Sequence, residues 1–325
     1  MPNGRFAPPV DGHVRLLTKV ARMYHERGIR QAEIAVALNI SQAKVSRLLK
    51  RAAALGIVRT TVTVAPGVYA DLEEALEQRF GLMEAVVVDI DTDADDRETM
   101  SALGAGAASY VEASLSGSDR IGISSWSQTL LAMVERLRPL SVRGATEVVQ
   151  LLGGIGAQEV QNQAQRLLGD LARLLGAEPV YVQAPGIVAD RQVRDGLLRD
   201  SSMTEVTRRW QELTMALVGI GTIEPSDALA GSGNAFSAAD RERLIADGAV
   251  GNVCHHYFDA TGTPVAADLD SRTISIPVDE FLAIPRRIGV AGGASKHRTV
   301  RAAVTGGWVN VLVTDLRTAE ALLEG

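Results

Sequence analysis

Seven short apolar runs limit what this chain can fold into more than any other feature: Ala85–Val88 (AVVV), Arg120–Ile123 (RIGI), Glu147–Leu152 (EVVQLL), Val180–Val182 (VYV), Ala216–Ile220 (ALVGI), Arg287–Ala291 (RIGVA) and Asn310–Val313 (NVLV). Near-continuous apolar character over four to six residues marks strands buried on both faces, not strands with one wet face. Most are separated by helical patterns, at residues 127–137, 160–175, 239–246, 296–304 and 318–323. Buried strands alternating with helices predict a doubly wound, mostly parallel α/β sheet covered on both faces. No internal repeat or low-complexity tract competes with that reading.

In such sheets ligands bind beyond the carboxyl ends of the strands, where loops meet helix N-termini. Candidate ligand residues therefore follow the strands. After Ile123 comes Ser124-Ser125-Trp126-Ser127-Gln128-Thr129, hydroxyls at the mouth of a helix that suit a phosphate or polyol. Gly153 and Gly154 follow Leu152, Gln183 follows Val182, Gly221 follows Ile220, and Gly292, Gly293, Ser295 and Lys296 follow Ala291. The last turn is the sharpest signal, since paired glycines admit close backbone approach and a lysine opening a helix can meet an anion. Gly122, next to the end of its strand, is grouped with this candidate set, although glycine-rich turns taken singly are ordinarily just turns.

Upstream of the strands the pattern changes. In QAEIAVALNISQAKVSRLL, residues 31–49, apolar Ile34, Ala35 and Leu38 share one helical face and Val45, Leu48 and Leu49 share another. Asn39 between them tolerates a left-handed backbone, and Ser41 is a helix N-cap. Two short helices with one small core imply a helix-turn-helix, the second helix running to about Leu55 before Gly56. A preceding helical pattern, Val14 to about Arg27 ahead of Gly28, supplies the support helix, and the proline-bearing segment Met1–Asp11 reads as an arm. The second helix turns Gln42, Ala43, Lys44, Ser46 and Arg47 outward from its Ser41 cap, a set suited to base edges and phosphates of double-stranded DNA. Charge points the same way: residues 1–60 hold eleven Lys and Arg against three Asp and Glu, a net +8, so the remaining 265 residues carry −14 within the total of −6. Only the first part is dressed for a polyanion. Thr60–Val64 alternates as a short strand would, and Pro66-Gly67 marks a linker. The expected organisation is a small all-α helix-turn-helix domain at 1–65 and a large α/β effector-binding and oligomerisation domain at 66–325.

Other chemistries find weaker support. No apolar run approaches the ~20 residues that span a bilayer, and the start lacks a secretory core, so a cytoplasmic protein without a membrane partner is expected. A single cysteine, Cys254, excludes an intrachain disulfide or a cysteine-cluster zinc site and is expected to pack in the core. Adjacent His255 and His256 would face opposite sides of a strand and so cannot share a metal; packing or solvent is expected for both. The GIG at 219–221 lacks the third glycine of a dinucleotide fingerprint. Asp91, Asp93, Asp95 and Asp96 lack the glycine and glutamate of a calcium loop and read as an acidic loop. No catalytic residue, metal or cofactor is assigned.

With both halves in view, the chain resembles the SorC family of sugar-binding bacterial transcriptional regulators over nearly its whole length. The resemblance rests on VSRLLKRAAALGIV, IGISSWSQTL, LLGGIGA, the APG of 184–186, VGIG, DGAVGNVCHHYFDATGTPV and VAGGASKHRTVRAAVTGGWVNVLVTDLRTAEALL. It implies a C-terminal domain related in fold to glucosamine-6-phosphate deaminase and sugar-phosphate isomerases. It also implies a sugar, polyol or sugar-phosphate effector that changes the hold on operator DNA, and a homo-oligomer, usually a tetramer. Ser124 to Thr129 would form the phosphate or hydroxyl loop, and Lys296 would be the lysine of the GG-x-x-K turn. Two departures stand out: Gly251-Asn252 replaces the common Gly-Asp or Gly-Glu, and SSWSQT replaces a shorter W-G-x-T loop. Asn252 can donate as well as accept, unlike a carboxylate. Two other readings remain at this point: a sugar-phosphate isomerase or deaminase using Lys296 or a histidine as its acid–base group, and a DNA-binding protein whose large domain only oligomerises.

Overall fold

The structure, a computed structural model, describes residues 12–59, 65, 67–91, 93–140, 142–155, 158–224 and 236–324. The expected arm at Met1–Asp11, the strand at Thr60–Val64 and Pro66 of the linker lie outside the described residues. The chain divides into two compact units, Met1–Val64 and Ala65–Gly325.

The first unit holds three helices: α1 (Gly12–His25), α2 (Gln31–Leu38) and α3 (Gln42–Ala54). Its core is built from Leu17, Val20 and Ala21 of α1, Ile34 and Ala35 of α2, and Val45, Leu48, Leu49 and Ala52 of α3. Tyr24, on the expected apolar face of α1, is instead exposed and stacks edge-on against His25, because α1 ends there. Asn39 adopts the left-handed conformation at φ 51°, and the amides of Asn39 and Ile40 close back on Val36 and Ala35 carbonyls. This cap ends α2 and reverses the chain within three residues. Ser41 Oγ then accepts the Lys44 amide at 3.2 Å and starts α3.

The second unit is a seven-stranded sheet with helices on both faces. Its strands are β1 (Glu84–Val88), β2 (Asp119–Ile123), β3 (Ala145–Gln150), β4 (Glu178–Val180), β5 (Met215–Gly219), β8 (Arg286–Val290) and β9 (Val311–Asp315), in the order β1-β9-β8-β5-β2-β3-β4. Every pairing in it is parallel. A separate antiparallel hairpin joins β6 (Gly251–Val253) to β7 (His256–Phe258). Period-two alternation divides the side chains between two cores. Met215 and Leu217 of β5 pack with α5 (Asp96–Ser114), α6 (Gln128–Arg136) and α7 (Gln158–Leu175) through Leu103, Leu130, Met133 and Leu171. Ala216 and Val218 face the other way, onto Trp210 of α9 (Ser201–Trp210), which follows α8 (Arg191–Leu198), and onto a cluster around Trp308. Each fully buried Leu or Phe contributes ~1.5–3 kcal/mol relative to exposure, which is why the strands read so uniformly apolar.

Boundaries differ from the sequence reading at the third and fourth strands. Leu151 and Leu152 leave the sheet, and Leu152 makes an isolated antiparallel bridge to Ser275. The fourth strand is Glu178–Val180, not Val180–Val182, since Val180 pairs with Val149 and the chain then turns so that the Val182 amide donates to Gln150 Oε1.

Candidate functional site

Strands after β2 are laid down toward β3 and β4, whereas β5, β8 and β9 are laid down on the other side. The winding therefore reverses between β2 and β5, and loops leaving those two strands diverge and open a crevice. A cavity of about 390 Å³ occupies that place, within the ~300–1,000 Å³ typical of small-molecule sites. Its wall comes from the β2–α6 loop, the segment after β5, the β6–β7 hairpin, the turn after β8 and the first turns of α5.

Of the sequence candidates, Ser124, Trp126, Ser127, Gln128, Thr129, Gly221, Asn252, Gly292, Ser295 and Lys296 line this cavity together. Ser124 Oγ accepts the Gly219 amide at 3.2 Å, tying the end of β5 to the loop after β2. Ser127 caps α6 by accepting the Leu130 amide. Both hydroxyls keep a proton and a lone pair for other partners. Asn252 is held by a reciprocal backbone bridge with Gly221, and its Nδ2 donates to the Thr222 carbonyl at 2.9 Å. A carbonyl can only accept, so this contact orients the amide and leaves Oδ1 and the second Nδ2 hydrogen unspent. Asn252 thus keeps an acceptor, Oδ1, and the second hydrogen of Nδ2, so both roles open to its residue type remain. Gly221 permits the approach, because a Cβ there would stand 2.8 Å from Asn252 Nδ2.

Gly122, Ser125, Gly153, Gly154, Gln183 and Gly293 are not part of the cavity wall. Gly122 lies within β2, where a Cβ would meet Leu151 and Leu213. Ser125 turns into a small recess with Ala164 and Leu167. Gly153 and Gly154 donate to Ile274 and Ala184 carbonyls, and neither they nor exposed Gln183 line the cavity. Gly293 is the sharpest correction. Its amide donates to Asp315 Oδ2 at 2.7 Å and to Thr318 Oγ1 at 3.1 Å, so the glycine turn already cradles an internal carboxylate. Gly292 lets that carboxylate in, since a Cβ would lie 2.1 Å from Asp315 Oδ2. Lys296 does reach the cavity, from a single 3-10 turn (Ala294–Lys296) before α13 (His297–Thr305). Burial lowers its ammonium pKa, and Asp96 opposes that shift.

Several wall residues were not among the sequence candidates for the ligand site. Asp96, Thr99 and Met100 arrive because Asp95 caps α5 through a reciprocal box with Glu98, which turns the expected acidic loop into a helix start beside the cavity. The D-x-x-E spacing of Asp95–Glu98 was the available clue. Glu224 pairs with Arg241 at the rim. His255, Cys254 and Tyr257 come from the hairpin. Its turn places both Cys254 (φ 52°) and His255 (φ 66°) in the left-handed region, so the two histidines do not simply alternate along a strand. His256 sits on β7, bonded through Nδ1 to Asp270 Oδ1 at 2.5 Å and through Nε2 to the Ile276 carbonyl at 2.7 Å. That bond lowers the Asp270 pKa. His255 is buried with no hydrogen-bond partner for either nitrogen among the described residues. Burial, with His256 beside it, pushes its pKa down to about 4. Cys254 packs in the core, and burial raises its thiol pKa. No group of His, Cys, Asp and Glu that could hold a metal occurs among the described residues.

On the first unit, Ser41, Gln42, Ala43, Lys44 and Arg47 are exposed along the start of α3, and Ser46 is half-buried. Arg47 Nε bends back to the Ala43 carbonyl at 3.4 Å. Arg15, Lys19, Arg22 and Arg27 surround a groove on α1 and extend the basic character of the unit.

Residues 67–324 match the Sugar-bind family model, which describes a sugar-binding domain. The sorbitol operon regulator of Klebsiella pneumoniae is 32% identical over 313 residues, covering 96% of this chain and 98% of that protein. The deoxyribonucleoside regulator of Bacillus subtilis is 30% identical over 95% of this chain and 97% of its own. The crystal structure of full-length SorC from Klebsiella pneumoniae aligns with a TM-score of 0.71 at 30% identity, over 97% of this chain and 100% of that one. No helix among the described residues is long and apolar enough to cross a membrane.

Proposed function

Because the chain belongs to the SorC family of sugar-binding transcriptional regulators, we propose that its hold on double-stranded operator DNA is controlled by a sugar, polyol or sugar-phosphate effector seated in the cavity between β2 and β5. The observation that carries this reading is the cavity itself: a crevice at the reversal of strand order, walled by Ser124, Ser127, Thr129, Asn252 and Lys296 around the Trp126 ring. Hydroxyl, amide and ammonium groups converging beside an apolar wall suit a polyhydroxylated ligand.

The first unit supplies the DNA contact. In this reading Gln42 and Arg47 read base edges, with Ser41, Ala43, Lys44 and Ser46 against sugar and phosphate, supported by the exposure of all of them but half-buried Ser46. The large unit also assembles the protein into a homo-oligomer, a tetramer, in the cytoplasm. Its role is binding and not catalysis: the hairpin's bonded histidine–carboxylate pair, His256 with Asp270, is absent from the cavity wall. An acid–base mechanism needs such a pair within reach of the substrate. An effector acts here by favouring one quaternary arrangement, and its leverage on DNA equals its differential affinity for the two. Gel-shift titration of DNA upstream of the chain's own gene, with and without free and phosphorylated sugars, tests the reading. Binding that responds to one of them is expected; absence of binding to any DNA at low salt would refute it.

A further inference from the structure

Resting on that reading, we propose that the effector is an uncharged polyol or unphosphorylated sugar, and that His255 and Asn252 grip its hydroxyls. His255 is the residue in the cavity wall whose buried polar atoms go unpartnered among the described residues, the residue being 4% exposed. A buried polar group is ordinarily hydrogen-bonded, so an unpartnered side chain of a residue in a cavity wall points to a ligand there. The backbone repeats the message. A two-residue hairpin turn of this kind favours Asn-Gly, yet Cys254 and His255 both hold positive φ without being glycine. Strain of this sort persists where it sets up function, and here it holds an imidazole at the cavity wall.

A neutral imidazole supplies one donor and one acceptor, the complement of adjacent hydroxyls. Asn252 adds a neutral acceptor, Oδ1, and the Nδ2 hydrogen that Thr222 leaves free. The charged groups argue against a phosphate. Among the described residues lining the cavity these are Lys296, Asp96 and Glu224, one cation against two carboxylates. Residues 225–235, outside the described structure, contain no lysine or arginine. The glycine turn that would cradle a phosphate is already filled by Asp315. The amides opening α6, by contrast, serve hydroxyl oxygens as well as anions.

The test is calorimetric titration of the full-length chain with matched pairs: D-sorbitol and its 6-phosphate, D-fructose and its 6-phosphate, 2-deoxyribose and its 5-phosphate, with inorganic phosphate alongside. In the pair that binds, the free member is expected to bind at least ~10-fold more tightly than its ester, about 1.4 kcal/mol. His255→Asn, which suits the left-handed turn but falls short of the ligand, should weaken that member by a further ~10-fold, with His255→Gln recovering most of the loss. Tighter binding of an ester, or of inorganic phosphate, would overturn the inference while leaving a sugar-class effector intact. Unchanged affinity in His255→Asn would remove His255 from the site. If no member of any pair bound, the effector reading itself would fall, and this inference with it.

Discussion

Replacing His255 by Asn should change how the stability of the large unit depends on pH. In the folded chain burial holds the His255 pKa near 4, against 6.5 for an unperturbed imidazole. Between those values the unfolded chain binds a proton that the folded chain refuses. Stability therefore rises with pH: it is fully present above about 6.5 and is lost as pH falls toward 4. A shift of about 2.5 units corresponds to about 3 kcal/mol, of which about 2.5 kcal/mol is already lost at pH 4.5. Asn tolerates the left-handed turn and does not titrate, so the variant lacks this term while sharing every carboxylate effect. Urea unfolding followed by tryptophan fluorescence isolates the large unit, since Trp126, Trp210 and Trp308 all lie after residue 65. The stability difference between the two proteins should move by about 2.5 kcal/mol in favour of the variant between pH 7.5 and 4.5. A difference that stays flat would mean that the His255 ring is solvated or paired when folded, and would refute the account of the cavity wall.

Lys296→Met should weaken a phosphorylated effector ~10- to 150-fold by removing a charge-assisted bond worth ~1.5–3 kcal/mol, and an uncharged polyol by less, while operator affinity without effector is unchanged; equilibrium titration of both ligands checks it. Asn252→Asp would set a carboxylate against the Thr222 carbonyl that Nδ2 now satisfies, and should cost ~1–3 kcal/mol in thermal or urea unfolding. Arg47→Ala should lose ~1–3 kcal/mol on operator and relax sequence discrimination, whereas Lys44→Ala should weaken operator and random DNA alike; equal losses on both DNAs in both variants would reverse the assignment.

The parallel sheet and the two short helices could be read from the chain because each rests on a local pattern: continuous apolar runs for strands buried on both faces, and Asn39-Ile40-Ser41 for a turn that is also a cap. Several of the candidate effector residues reached the cavity for the same reason, as Ser124, Ser127 and Thr129 follow directly from the end of β2. The failures were of long range. Nothing near Gly293 in sequence says that Asp315, twenty-two residues on, fills the glycine cradle. Asp96 reaches the wall only because α5 packs beside β9, and His255 only because a non-glycine pair adopts a turn that sequence rules assign to glycine. Asn252 shows the finer limit: its residue type allowed donor and acceptor roles, and only the structure shows that the Thr222 carbonyl sets the orientation of its amide.

The central claim, that one ligand in the cavity sets the hold on DNA, is tested most directly by reciprocity. Operator affinity is measured by fluorescence anisotropy with and without the effector, and effector affinity by calorimetry with and without operator. If the two sites are coupled through the protein, the same factor must appear in both, typically ~5- to 150-fold. Equal factors, both lost in Lys296→Met, are the expected result. An effector that binds with the same affinity whether or not operator is present would contradict the account.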